Sequence, residues 1–323
     1  MKPAHLGAAV LSASLLWLMP AWAADRTEIT FPGDHAYPES LTATSDGTIY
    51  AGSLYEGGIF RVAPGATTAE QWIKPGANDS MNTLGVFADE KSGTLWVCSS
   101  NLSAFGVKPP AGVTPVSLKA FDLKTGAAKG SWPLPGEKSL CNDMVVGADG
   151  SVYVAESFQP HILKLAPGAN ALEVWATNPG FSGGEGPGLD GITIGQDGNL
   201  YVNTFATGLL FRVGMGPGGK AGQITQLKTT PAGFEHPDGM RAYGKNGLLV
   251  VEGADAGRFD IIQVNGDNAE VKTVKGGFKQ PVSVWQIGNV AWVLEGQLGT
   301  LFDPPEKRGK PGPFRAYAVE LPK

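Results

Sequence analysis

From Glu39 onward the chain alternates short apolar runs of strand length with small polar clusters of turn residues. One unit reads Glu39 to Ala43, Asp46-Gly47, Ile49 to Gly52, Gly57-Gly58, Ile59 to Val62, Pro64-Gly65 and Glu70 to Ile73. It predicts four short strands separated by turn residues. The same order returns from Asn142, from Asp190 and from Asp238, each followed ten positions later by a Val-Tyr-Val, Leu-Tyr-Val or Leu-Leu-Val strand. A looser copy starts at Leu84 and carries an insertion around Val107 to Pro115. A last copy, placed in register at Ser283, runs out after three strands.

Register positions Glu39, Leu84, Asn142, Asp190, Asp238 and Ser283 are 45, 58, 48, 48 and 45 residues apart, near the repeat of four-stranded propeller blades. The expected fold is therefore all-β, a six-bladed propeller with four strands per blade. The strand-like stretch Thr27 to Phe31 has no hairpin partner, and the sixth unit lacks a strand. Pairing the two closes the ring and removes both defects.

Composition sharpens this. With 323 residues, 42% hydrophobic, the chain can bury a large core, and the 46 Gly and 24 Pro are spread as turns rather than gathered in a linker. A net charge of −5 with scattered Lys and Arg speaks against nucleic acid, and no phosphate loop, dinucleotide fingerprint or nucleophile elbow is present. Residues 1–23 read as a signal peptide: Lys2, an apolar run to Leu18, then Ala21-Trp22-Ala23. Residues 24–323 would be the propeller, a periplasmic or secreted monomer without a membrane span acting on a small molecule.

In a propeller the first strand of each blade lines the axis, so the register residues should ring one mouth of the channel. Glu39, Asn142, Asp190 and Asp238 make an all-oxygen set. Three carboxylates cannot stay charged together in a partly dry channel without a counter-charge, and a divalent cation, best calcium, suits oxygen ligands. The alternative is that they cap loops through backbone amides. Asp46, Asp149, Asp197 and Asn246 stand at turn positions and are structural.

At Tyr37-Pro38-Glu39-Ser40, Cys141-Asn142-Asp143-Met144, Leu189-Asp190-Gly191-Ile192 and Pro237-Asp238-Gly239-Met240 the chain resembles the regucalcin (senescence marker protein) and gluconolactonase family of six-bladed propellers. Diisopropyl fluorophosphatase and the paraoxonases are more distantly similar. The resemblance implies a divalent metal held by a Glu, two Asn and an Asp. Glu39, Asn142 and Asp238 match, while Asp190 stands where Asn is expected. It implies a metal-dependent hydrolase of a lactone or related ester, with Asp238 as the catalytic nucleophile or base. No counterpart of the paraoxonase His pair is present, and strictosidine synthase-like propellers lack this ligand set. A non-enzymatic, metal-stiffened propeller that binds a ligand or partner is the alternative.

Fourteen positions after the register residues stand Ser53, Glu156, Thr204 and Glu252, with Ser99 or Ser100 and Glu295 in the other two blades. They would line a polar substrate pocket or form a solvated rim. His236, two residues before Asp238, is a candidate pocket residue, or simply an exposed loop His. Cys98 and Cys141 should meet at the same mouth of neighbouring blades, and export would favour a disulfide over two buried thiols.

Overall fold

The computed structural model describes residues 26–322 except 111, 254 and 255. The expected signal peptide and its cleavage after Ala23 lie outside the described residues. Strands near the axis are wholly buried, whereas the outermost strands of the blades are largely exposed.

Blade one holds strands β2 (Pro38–Ala43), β3 (Ile49–Ser53), β4 (Ile59–Val62) and β5 (Glu70–Ile73). Blade two holds β6 (Asn82–Asp89), β7 (Thr94–Ser100), β8 (Ser117–Asp122) and β9 (Ala128–Pro133). Blade three has β10 (Cys141–Val146), β11 (Val152–Glu156), β12 (His161–Leu165) and β13 (Glu173–Thr177). Blade four has β14 (Leu189–Ile194), β15 (Leu200–Thr204), β16 (Leu210–Met215) and β17 (Ala221–Gln226). Each is an antiparallel meander.

Blade five departs from the expected count. Outside β19 (Pro237–Tyr243), β20 (Gly247–Glu252), β21 (Arg258–Asn265) and β22 (Asn268–Gly276), the short β18 (Lys228–Thr230) pairs in parallel with β22 as a fifth strand. Blade six has β23 (Pro281–Ile287), β24 (Val290–Glu295) and β25 (Phe314–Glu320), and β1 (Glu28–Phe31) completes it by antiparallel pairing of Ile29 with Ala316 and Phe31 with Phe314. The ring therefore closes through the N-terminal strand. A one-turn helix, α1 (Gly299–Phe302), lies in the connection before β25.

Local chemistry fixes the turns. In blades one, three and four an Asp accepts the backbone N–H two residues on, Asp46 from Thr48 at 2.9 Å, Asp149 from Ser151 at 3.0 Å and Asp197 from Asn199 at 3.1 Å. The Gly between them takes a positive φ, 86° at Gly47, which a Cβ would oppose. The Asp-Gly pairs at the axis serve a different purpose. Gly191 has no such φ, but a Cβ on it would lie 2.4 Å from the Asp238 carbonyl oxygen of the next blade. Gly191→Ala should therefore force blades four and five apart and cost about 1–3 kcal/mol, read as a lowered urea midpoint at unchanged slope. An unchanged midpoint would show that the seam is looser than this.

Blade two is tied to blade three by a disulfide between Cys98 of β7 and Cys141 of β10, with Cα atoms 5.1 Å apart. Other seams use hydroxyls: Ser40 Oγ accepts from Val86 N, Thr193 Oγ1 from Ala242 N and Ser283 Oγ from Leu41 N. These bonds satisfy backbone donors that the meander alone leaves free.

Candidate functional site

In five inner strands the pairing skips two residues: between Pro38 and Leu41, Thr83 and Val86, Cys141 and Met144, Leu189 and Ile192, and Pro237 and Met240. Such a bulge frees the first skipped side chain from the sheet and turns it to the axis. Those side chains are Glu39, Leu84, Asn142, Asp190 and Asp238. In blade six the skip falls between Pro281 and Ser283 and frees Val282 alone. The sixth register residue is thus Val282 and not Ser283, because that bulge is one residue shorter. All six, Glu39, Leu84, Asn142, Asp190, Asp238 and Val282, line a single cavity of about 480 Å³.

The polar four are buried together. Asn142 Nδ2 donates to Asp190 Oδ2 at 2.9 Å and to Ser157 Oγ at 3.0 Å. Asp238 Oδ1 accepts from Gly239 N at 2.8 Å. Glu39 Oε2 is buried without a hydrogen-bond partner. Burial, then the charges of Asp190 and Asp143, push the Glu39 carboxyl well above the usual carboxylate range, with Arg241 pulling it back. Asp190 is pushed up to about 7 by burial and by Asp143. Asp238 is also raised well, by burial and then by Asp190 and Glu39. Burial and like charge thus favour the protonated form of all three carboxyls, against the pull of Arg241 on Glu39 and Asp190.

Three residues further along the inner strand from Asp238, Arg241 of β19 crosses the channel to Asp143 of β10, Nη1 to Oδ2 at 2.6 Å and Nη2 to Oδ1 at 3.2 Å. Its guanidinium lies 5.2 Å from the Trp285 ring, which meets Phe87 edge to face. This buried pair plugs the channel beside the acidic ring. The sequence reading missed it, although an Arg between Met240 and Ala242 in an otherwise apolar strand was a signal for a buried partner.

The residues at the ends of the second strands behave differently from the expectation. Glu156, Thr204 and Glu252 do not line the cavity. Glu156 Oε1 accepts from Leu140 N and Phe158 N at 2.8 and 2.9 Å. Glu252 accepts from Glu235 N and from Arg258 Nη2. Thr204 Oγ1 accepts from Leu209 N at 3.0 Å and bonds the Thr207 hydroxyl. In the other blades Ser53 Oγ donates to Ala36 O, Ser99 Oγ accepts from Met81 N, and Glu295 Oε1 accepts from Lys279 N. In five of these six blades the side chain ties down the loop that enters the first strand, and Thr204 ties down its own turn. Their recurrence at one register reflects blade construction rather than substrate contact.

His236 does line the cavity. It has φ 50°, shared with Tyr37 and Gln280, which likewise precede a blade-opening Pro. Its ring packs 5.0 Å from Phe205, and its Nδ1 is buried without a partner.

The fold and site together define a six-bladed propeller with an acidic, axially placed cavity. No protein-family model and no curated protein sequence matches the chain. Among solved structures it is similar to gluconolactonase XC5397 from Xanthomonas campestris, at 12% identity over 94% of both chains with a TM-score of 0.61. It is also similar to the PQQ-bound aldose sugar dehydrogenase of Streptomyces coelicolor, at 15% identity, 92% of this chain and 96% of that one, TM-score 0.63. A third is virginiamycin B lyase from Staphylococcus aureus, at 16% identity, 90% of this chain and 83% of that one, TM-score 0.61. At such identity the likeness shows the fold. Three named activities on one architecture mean that the site must decide function.

Proposed function

We propose that the protein is a divalent-metal-dependent hydrolase of a lactone or related ester, with Glu39, Asn142, Asp190 and Asp238 as the metal site. The observation that carries this reading is the set of three buried carboxyls, all raised in pKa, at the floor of one cavity, with Glu39 Oε2 unpartnered. Among the described residues no three His, Cys, Asp or Glu side chains stand as a formed metal cage. The fit rests on donor chemistry: oxygen ligands from four blades, carrying more charge than the channel neutralises, suit a hard cation such as calcium. The donors lack the His and Cys that zinc favours.

A cation held there would supply polarisation of the ester carbonyl. Asp238, with Oδ1 fixed by Gly239 N–H, presents its other oxygen either to attack or to take a proton from water. The reaction adds one water across the acyl C–O bond and yields a carboxylate, an alcohol and a proton. Arg241 and Asp143 hold the inner strands on which the ligands stand. His236 lines the same cavity. The disulfide supports a place in an oxidising compartment. Among the described residues no helix is long and apolar enough to cross a membrane.

The test is a panel of sugar and aliphatic lactones assayed with calcium, manganese, zinc or chelator. Turnover that chelator abolishes and calcium restores is expected. Cation-dependent melting with no turnover would instead support the binding-module alternative, and indifference to chelator in both assays would remove the metal.

A further inference from the structure

The cavity wall above the acidic floor is almost without hydrogen-bonding groups. Leu54, Leu102, Leu140, Pro187, Phe205 and Leu298 face it, and no Lys or Arg does. The floor is itself lopsided. Leu84 and Val282 flank Glu39 on either side and separate it from the polar arc of Asn142, Asp190 and Asp238.

At the mouth stand Phe105, Phe158 and Phe302, exposed by 50%, 38% and 37%. They come from three separate connections, yet Phe105 meets Phe158 at 6.2 Å and Phe302 at 6.1 Å between ring centroids. Three of the five large hydrophobic side chains exposed among the described residues are gathered here. Isolated exposed apolar groups need no explanation, but a cluster around a cavity marks a binding surface.

The rings also stand on anchored backbone. Asn101 Oδ1 accepts from Ser103 N at 3.0 Å and sets the 3-10 turn Ser103–Phe105. Glu156 Oε1 holds Phe158 N. Gln280 Oε1 accepts from Gly299 N at 2.6 Å, and Tyr37 Oη bonds Thr300 Oγ1 at 3.0 Å, fixing α1 beneath Phe302. A preset aromatic collar spends little order on closing around a ligand.

We propose that the cavity takes a lipophilic lactone or ester, its carbonyl over the acidic floor and an aliphatic or aryl tail lodged in the collar of Phe105, Phe158 and Phe302, and not a polyhydroxylated sugar lactone. The proposal rests on the hydrolase reading for the word ester and on the wall alone for the word lipophilic. A sugar lactone brings a hydroxyl on nearly every carbon, and each would lose its water against this wall. Outside the floor, the charged or amide side chains that line the cavity are His236, Gln280 and Asp303, and Gln280 Oε1 is already engaged.

The experiment uses γ-valerolactone, γ-octalactone, γ-dodecalactone and glucono-1,5-lactone with calcium present. Affinity is measured by titration calorimetry on the Asp238→Asn protein and turnover by proton release from the wild type. Binding should tighten about threefold to fourfold per added methylene, the fold-change that corresponds to about 0.8 kcal/mol per buried CH2. The Phe105→Ser/Phe302→Ser double variant, altered only at exposed rings and checked by its melting temperature, should flatten that slope. A slope of zero in the Asp238→Asn protein with all three rings intact, or glucono-1,5-lactone bound more tightly than γ-dodecalactone, overturns the ligand class. Graded binding with no turnover of any member upholds the ligand class and overturns the hydrolase reading. Turnover with glucono-1,5-lactone preferred does the reverse.

Discussion

Asp238→Asn is expected to lower lactone turnover by about 1,000-fold or more while the metal-free protein melts at a higher temperature than the wild type. On the proposed hydrolase reading, the loss follows from removing at once a cation ligand and the carboxylate oxygen offered to the substrate, where a single electrostatic partner is worth about 100-fold to 1,000-fold. The gain follows from burial. Burial, and then the charges of Asp190 and Glu39, hold the Asp238 carboxyl up. An amide there removes one contributor to that repulsion.

The pH dependence has a definite sign. Asp190 is raised to about 7 from an unfolded value near 4, so its contribution to stability is full below about pH 4 and is lost as pH rises through about 7. Chelated wild-type protein should thus melt progressively lower between those limits, and saturating calcium should oppose the loss by binding the charged form. Thermal melts in chelator and in calcium, across that range and for both proteins, check this. Equal melting temperatures for wild type and Asp238→Asn in chelator would remove the repulsion from the account.

Arg241→Met should be the most destabilising single change in the channel, by about 3–5 kcal/mol, because it leaves Asp143 buried and without its bidentate partner. The double variant Arg241→Met/Asp143→Leu should recover much of that, since two apolar groups can occupy the space that two charges leave. Urea unfolding of the three variants measures both numbers. A double variant no more stable than Arg241→Met would show that Asp143 is held by other groups. The same substitution should move calcium binding to higher pH, because Arg241 is what restrains the rise at Glu39 and Asp190.

Most of the architecture was legible because its signals are local. Alternation, Asp-Gly turns and the spacing of Glu39, Asn142, Asp190 and Asp238 can be read residue by residue, and the unpaired stretch at Thr27 to Phe31 told where the ring closes. What was lost depended on distance or exception. Ser283 stood in for Val282 because a bulge one residue shorter leaves no mark on hydropathy. The parallel β18 pairs across a long connection, and nothing in Lys228–Thr230 announces it. Glu156 and Glu252 look like active-site acids in sequence because a carboxylate on a strand end reads the same whether it meets substrate or a backbone N–H. The wall of the cavity was invisible for a further reason. Leu102, Phe105, Phe158 and Phe302 lie on connections with no period, and only the closed ring brings them together.

That closure bears on when the molecule acquires its difficult chemistry. Glu39 belongs to the first blade and Asp238 to the fifth, and Val282 of the sixth is the register residue between them. Until β1 docks against β25, Glu39 has no fixed relation to Asp238, although Asp190 and Asp238 already stand in adjacent blades. Closing the ring is thus also what completes the set of three carboxyls at the axis.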